Sequence, residues 1–255
     1  MIQSFFCPTR IHFGRDAHEK LPELFQTLHS KRVFITADPA MRGGAILSRI
    51  LAGLEQAGVA HSVFSEIEPD PSDTTVAKAF AQCRDHQATA ILALGGGSTI
   101  DVGKAAGILM TNGGRINDYE GIEVFRTPPL PLVAIPTTAG TGSEVSGSCT
   151  ITDTSRKLKM SIRHATLNPA RIAILDPVVL RTLPESVAVH SGLDAFVHAF
   201  EAFFSRGATP FSDALTLRAV SLIAGSIREF AADRTDERAG LDMLMGSAMA
   251  GMCFG

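Results

Sequence analysis

The chain has 255 residues, and its 23 Lys and Arg against 26 Asp and Glu give a formal net charge of −3. Hydrophobic residues make up 45% and charged residues 19%, which excludes an intrinsically disordered chain, because such chains cannot bury enough apolar surface to offset the entropy of ordering. The near-neutral charge, without a basic stripe, argues against nucleic acid as the main partner. No apolar run approaches the roughly 18–20 residues that span a membrane.

Short apolar runs alternate with helical patterns as far as about residue 180. Helices are predicted at 44–57, from a cap at Ser72 or Asp73 to about residue 85, and at 98–110. Strands are predicted at 31–36, 59–64, 89–94, 130–135, 148–153, 157–162 and 171–175. The nearly all-apolar run at 89–94 is typical of a strand buried in the middle of a parallel sheet.

The pattern changes near residue 182, after which no convincing strand follows. Helices are predicted at 184–205, 210–232 and 237–254. Strand–helix alternation followed by helices alone predicts an α/β domain over 1–182 and a helical domain over 183–255. The last eight residues are apolar up to Gly255, whereas chain ends are usually polar. We therefore expect the helical domain to be incomplete.

The cysteines predict a reducing environment. Cys7, Cys83, Cys149 and Cys253 are far apart and form no C-x-x-C pair, so the sequence indicates neither a disulfide framework nor a zinc knuckle. The first residues form no cationic and apolar signal region. A cytoplasmic location is the expectation.

A glycine-rich segment, Gly95-Gly96-Gly97-Ser98, lies between a predicted buried strand and a predicted helix. Glycines let the backbone approach a ligand closely, and a helix N-terminus attracts anions. Ser98 is a candidate helix cap or phosphate donor, and Asp101 a candidate to close the cap or to bind a ligand. The alternative is a tight turn before a capped helix. The G-x-G-x-x-G dinucleotide fingerprint is absent, because position 100 is Ile.

A second loop favours the ligand hypothesis. Residues 137–144, with the sequence TTAGTGSE, follow the predicted strand at 130–135. Ligands of open α/β sheets bind at the carboxyl ends of the strands. Two loops of this kind, after consecutive buried strands, predict a phosphate-bearing ligand better than they predict two simple turns.

Asp194 and His198 are four residues apart on one predicted helix, so they share a face. Two interpretations stay open: a hydrogen bond or ion pair within the helix, or two ligands of a divalent metal. The apolar neighbours predict that this helix is largely buried; they are Leu193, Phe196, Val197 and Phe200.

Three segments together resemble the iron-containing (group III) alcohol dehydrogenase family: GGGSTIDVGK at 95–104, PTTAGTGSE at 136–144 and GLDAFVHAFE at 192–201. PTRIHFG at 8–14 also resembles the family's first strand. The resemblance implies a dehydroquinate synthase-like fold: a Rossmann-like α/β N-terminal domain, then an all-helical C-terminal domain that is incomplete here.

The resemblance also implies a cofactor site for NAD or NADP. By match, Asp101 would lie near the nicotinamide and Lys159 would reach a ribose hydroxyl. Many family members place an Asp where this chain has Ala37, which is followed here by Asp38. The preference for NAD or NADP therefore depends on where the Asp38 side chain points. The remaining residues implied at the cofactor are Gly96, Gly97 and Ser98 at the pyrophosphate, and Thr137, Thr138 and Thr141 along the cleft.

The metal implied by the resemblance is Fe²⁺, with Zn²⁺ as the alternative. The family holds it with one Asp and three His, and Asp194 and His198 match the first two. The other two ligands and a proposed proton-relay His would lie beyond Gly255. We therefore expect this chain to be roughly the first two thirds of such an enzyme. Two donors leave half or more of a tetrahedral shell to water.

The function implied is reversible hydride transfer between a nicotinamide cofactor and a primary alcohol or aldehyde, with the metal as Lewis acid. A homo-oligomer, such as a dimer, is expected, with small molecules as partners. One alternative is a metal-dependent lyase of the dehydroquinate synthase type, which the loop at 137–144 disfavours. A metal-free reductase is disfavoured by Asp194 and His198. A non-catalytic nucleotide-binding fragment is the alternative from another class.

Overall fold

A computed structural model describes residues 4–253 of the chain. This part forms a six-stranded sheet, a three-stranded sheet and seven α-helices. The strands are β1 (Arg10–Phe13), β2 (Arg32–Ala37), β3 (Ala60–Phe64), β4 (Ala90–Gly95), β5 (Gly121–Ile122), β6 (Leu132–Pro136), β7 (Ser148–Asp153), β8 (Leu158–Arg163) and β9 (Ile172–Leu175). The helices are α1 (Leu21–Thr27), α2 (Ala45–Gln56), α3 (Asp73–Asp85), α4 (Gly97–Asn112), α5 (Glu185–Phe203), α6 (Pro210–Ala232) and α7 (Glu237–Gly251).

The six-stranded sheet is parallel throughout, in the order β1-β9-β6-β4-β2-β3. Strands β4 and β6 are buried at every position, which explains their unbroken apolar sequences. Successive side chains of a strand point to opposite faces. On β4, Leu92 packs in the core that holds α1 and α2, and Ile91 in the core that holds α3 and α4. Helices therefore cover both faces, and the predicted Rossmann-like architecture is confirmed.

Helices α5, α6 and α7 pack against one another after the last strand. They share the core of the sheet face that α1 and α2 cover. Small residues allow close approach: a Cβ at Gly246 on α7 would lie 2.6 Å from Ile223 Cγ1 on α6. The residues described after Leu175 form no strand, as predicted, and the division at residue 182 stays a prediction. Between residues 4 and 253, no helix is long and apolar enough to cross a membrane.

The prediction that α5 is largely buried is wrong. Leu193, Val197 and Phe200 are 51%, 48% and 53% exposed. The buried face consists of small residues spaced three and four apart: Ala188, Gly192, Ala195, Ala199 and Ala202. A stripe of small side chains lets neighbouring helices approach closely, so the larger apolar residues are left on the opposite face. The sequence of α5 thus has two apolar faces, one of small and one of large side chains, and the face of small side chains is the buried one.

Candidate functional site

A cleft of about 680 Å³ lies where the glycine-rich segment, the loop at 137–144 and helix α5 meet. Strands β4 and β6 are parallel neighbours, with Gly95 opposite Pro136, so the loops that follow them leave the same edge of the sheet. The cleft is lined by residues of all three segments that carry the family resemblance, including Gly97, Ser98, Asp101, Thr141, Asp194 and His198.

The two loops lie side by side because the first is made of glycines. The Thr137 amide donates to the Gly95 carbonyl oxygen at 3.1 Å. A Cβ at Gly96 would lie 3.2 Å from Thr138 Oγ1, and one at Gly97 would lie 2.8 Å from Thr141 Cγ2. Any side chain at Gly97 would therefore displace the Thr141 side chain. Of the threonines predicted here, Thr137 is buried, Thr138 half-buried and Thr141 exposed to the cleft.

Helix α4 begins one residue earlier than predicted, at Gly97, with Gly96 as its N-cap. No side chain of the described residues caps it, so of the two roles suggested for Ser98 the capping role is wrong, and the role of phosphate donor stays a prediction. The first N–H groups of a helix have no acceptor within the helix. Without a side-chain cap these groups, with the positive end of the helix dipole, form a site that suits an anion.

Asp101 is half-buried and connects α4 to the opposite wall of the cleft; it does not cap the helix. Its carboxylate accepts hydrogen bonds from Ser143 Oγ at 2.6 Å and from the Thr150 amide at 2.9 Å. Burial raises the pKa of Asp101, while the nearby Lys104 charge and these two hydrogen bonds oppose the rise. Lys104 Nζ in turn donates to the carbonyl oxygens of Ser146 and Ser148 at 3.0 and 2.7 Å.

Glu144, the last residue of the second loop, is buried near the same lysine. Burial raises the pKa of Glu144 to about 7, although the Lys104 charge opposes the rise. Lys104 and Glu144 are therefore buried behind the wall of the cleft, whereas Asp101 is half-buried and lines it.

Two predicted cofactor residues lie at the edges of this region. The Asp38 amide donates to the Leu94 carbonyl oxygen at 2.9 Å, which places Asp38 at the same sheet edge as the glycine segment. Its carboxylate accepts from the Ala40 amide at 2.9 Å. Lys159 Nζ, on β8, lies 2.7 Å from Asp70 Oδ1, and Asp70 lines the cleft. Lys159 itself does not line the cleft; it forms an ion pair with Asp70, which does.

Asp194 and His198 both line the cleft, from one face of α5. Asp194 Oδ1 and His198 Nε2 are 3.5 Å apart, and the two side chains are 45% and 27% exposed. Bonds of about 2.1 Å to a tetrahedral ion would separate two donors by about 3.4 Å, so the pair fits two positions of a metal site. Within residues 4–253, no third carboxylate, imidazole or thiol joins them within 4.8 Å. The same distance also fits an ion pair within the helix.

Several residues of the cleft were missed by the sequence analysis. Arg163 and His164, at the end of β8, line its mouth, together with Glu123 and Cys253. A signal for Arg163 was present, because alternate residues of a strand share a face and Lys159 was already a candidate. What the sequence did not contain was the position of β8 beside the cleft.

Comparison with known proteins identifies the family. The model of iron-containing alcohol dehydrogenase matches residues 8–177, and the model of the Fe-containing alcohol dehydrogenase family, C-terminal, matches residues 188–255. The NAD-dependent methanol dehydrogenase of Bacillus methanolicus is 34% identical over 253 residues, which is 99% of this chain and 66% of that enzyme. The chain thus spans slightly under two thirds of the length of this relative.

Solved structures agree with the family models. A crystal structure of 1,3-propanediol oxidoreductase superposes with a TM-score of 0.95 at 35% identity, covering 100% of this chain and 66% of that one. Sulfoacetaldehyde reductase from Bifidobacterium kashiwanohense, in complex with NAD⁺, superposes with a TM-score of 0.91 at 27% identity, covering 99% and 67%. The chain therefore belongs to the iron-containing alcohol dehydrogenase family.

Proposed function

We propose that this protein transfers a hydride between a nicotinamide cofactor and a primary alcohol or aldehyde, in the cleft between α4 and α5. The observation that carries the proposal is that one cleft holds both an uncapped, glycine-lined helix start and an Asp–His pair. Two similar proteins support it: one is named an NAD-dependent methanol dehydrogenase, and the other is a reductase whose structure was solved in complex with NAD⁺.

The cofactor's diphosphate would bind at the start of α4, where Gly96, Gly97 and Ser98 offer backbone N–H groups. Asp101 would hold Ser143 and β7 in place beside the nicotinamide. Asp38 at the end of β2 would face the adenosine ribose, and a carboxylate there disfavours a 2′-phosphate. We therefore propose NAD rather than NADP.

Asp194 and His198 would hold the metal ion, Fe²⁺ or Zn²⁺. When bound, the ion would supply Lewis-acid polarisation of the substrate oxygen. The contribution of the chain is geometric: one helical turn sets the spacing of the two donors, and the cleft lies open in front of them. Two donors alone leave the other positions to water, substrate or groups outside the described residues.

We also propose a homo-oligomer in a reducing, cytoplasmic compartment. Exposed aromatic side chains at the C-terminal end of α5 support association, because a large exposed apolar patch is typical of an interface. Phe200 is 53% exposed and Phe204 is 68% exposed, and their ring centroids are 4.8 Å apart. The four cysteines are all free thiols, which supports the compartment.

Two variants separate the cofactor and metal halves of the proposal. Gly97→Ala should weaken NADH binding by tenfold or more, because its Cβ would clash with Thr141. Asp194→Asn should leave the NADH dissociation constant within about threefold but abolish reduction of a short-chain aldehyde in the presence of Fe²⁺. NADH fluorescence measures binding and nicotinamide absorbance measures turnover.

Glu185→Gln, at the start of the same helix, is the control and should change neither property. Turnover that survives both metal chelation and Asp194→Asn would overturn the metal role. NADH binding without turnover in the wild-type protein would favour the non-catalytic nucleotide-binding alternative.

A further inference from the structure

We propose that Arg163, with His164 beside it, forms an anion-binding site at the substrate end of the cleft, so that the preferred alcohol or aldehyde carries a carboxylate or sulfonate group. The inference rests on the proposed function, because it names the substrate class of the same cleft. Three features carry it: the position of Arg163 on β8, the absence of a carboxylate paired with it among residues 4–253, and the hydrogen bonds that hold His164.

The position follows from the strand. Met160 and Ile162 of β8 are buried in the core, so the alternate residues Lys159, Ser161 and Arg163 share the opposite face. At about 3.3 Å per residue, Arg163 is roughly 13 Å along the strand from Lys159. If Lys159 reaches the cofactor ribose, Arg163 faces a different part of the bound ligands.

Neighbouring residues show which part that is. Arg163 is paired in register with Ser148 of β7, and both line the cleft. The next pair on the same face of the ladder, Thr150 and Ser161, lies beside Asp101, since the Thr150 amide donates to the Asp101 carboxylate. The order along the cleft is therefore Lys159, Asp101, Arg163, which puts Arg163 beyond the proposed nicotinamide position.

The charge of Arg163 is not balanced by the described residues. Its Nε donates to Ser161 Oγ at 2.9 Å, and no carboxylate between residues 4 and 253 lies within ion-pair distance of it. By contrast, Lys159 is paired with Asp70. A guanidinium stays charged at any physiological pH and presents a planar fork that matches carboxylate and sulfonate oxygens.

His164 adds a second donor. Its Nδ1 accepts from the amides of Thr166 and Leu167 at 3.4 and 3.3 Å, so in the neutral ring the proton is on Nε2. The ring also packs against Phe125 at 5.0 Å between centroids. The imidazole is thereby held in one orientation and has a donor nitrogen left for a ligand at the cleft wall.

Glu123 is the negatively charged residue next to this proposed anion site. It also lines the cleft, and its amide donates to the Arg163 carbonyl oxygen at 2.7 Å, so the two residues are neighbours. Because its carboxylate forms no ion pair with Arg163, it leaves the guanidinium available and weakens anion binding only by its field. Glu123→Gln is therefore a matched control that changes charge at the same mouth in the opposite sense.

The test is calorimetric binding of isethionate, 2-hydroxyethanesulfonate, and of neutral 1-propanol, each with and without NADH. We expect the wild-type protein to bind isethionate at least tenfold more tightly than 1-propanol, and less tightly as salt is raised. Arg163→Gln should weaken isethionate binding about tenfold or more and leave 1-propanol and NADH binding within twofold. Glu123→Gln should leave isethionate binding equal or tighter.

Equal binding of isethionate by wild type and Arg163→Gln would overturn the inference. So would a loss of NADH or NADPH affinity in Arg163→Gln that matches the loss of isethionate affinity, because the arginine would then bind a cofactor phosphate. Failure of the wild-type protein to bind NADH would defeat the proposed function, whereas isethionate binding without cofactor would still test the anion site.

Discussion

Glu144 shows how a single buried side chain makes the stability of this protein depend on pH. Burial raises the pKa of Glu144 to about 7 from an ordinary value of 4.5, so between these values the native state binds more protons than the unfolded state. Stability then falls as pH rises through this range. A shift of this size corresponds to about 3 kcal/mol.

Glu144→Gln should remove that dependence, because the amide has no charge to bury. We expect the free energy of unfolding of the wild type, relative to the variant, to fall by about 3 kcal/mol between pH 4.5 and pH 8. Urea unfolding at a series of pH values measures it. Parallel pH profiles for the two proteins would show that Glu144 is not buried as a neutral acid.

At this scale the sequence predicted which residues meet but not what each one does. Ser98 and Asp101 were identified from their place after a buried strand, and both line the cleft. Their predicted capping roles were wrong, because Gly96 occupies the N-cap and Asp101 bonds to Ser143 and Thr150 instead. Those partners are more than 40 residues away, so no local pattern reveals them.

The loop at 137–144 joins the sheet to the helical region through backbone contacts. Gly142 has φ +60°, and a Cβ there would lie 2.7 Å from Gly251 Cα and 2.9 Å from the Ser247 carbonyl oxygen, both on α7. A helix backbone cannot move aside as a flexible side chain can. A glycine is therefore required at this position by its conformation as well as by the space available.

Gly142→Ala should destabilise the fold by about 2–4 kcal/mol, from left-handed backbone strain and from the clash with α7. Gly225→Ala is the control: Gly225 lies on α6 with nothing within 4 Å of a Cβ, so alanine should stabilise the helix by about 0.5–1 kcal/mol. Urea unfolding of both variants tests the contact. A Gly142→Ala protein as stable as wild type would show that the loop and α7 are not in close contact.

Most strands of the large sheet were predictable from the sequence. The shortest elements, and the buried face of helix α5, were not. Strands β4 and β6 are buried on both faces, so their sequences are continuously apolar. Helix α1 has seven residues and strand β5 has two. These elements are too short for a helical or a strand periodicity of apolar residues to be recognised in the sequence. On α5 both faces are apolar, and its packing against α6, α7 and the loop at 137–144 determines which face is buried.

For the whole molecule, the sequence predicted the cleft because the topology of parallel sheets brings successive loops to one edge. The glycine segment and the loop at 137–144 follow neighbouring strands, and Asp194 and His198 complete the same cleft from α5. The mouth at Arg163 was not predicted, because it depends on how the small sheet β5-β8-β7 packs beside the large one.

The central claim is that a nicotinamide cofactor bound at α4 and a divalent ion held by Asp194 and His198 occupy this cleft together. Proton relaxation of NAD⁺ in the presence of Mn²⁺ tests it most directly. We predict that Mn²⁺ broadens the nicotinamide proton signals of NAD⁺ bound to the wild-type protein, that Mg²⁺ does not, and that Asp194→Asn abolishes the broadening while NAD⁺ still binds. Broadening that persists unchanged in Asp194→Asn, or NAD⁺ and Mn²⁺ that both bind without any broadening, would contradict the account.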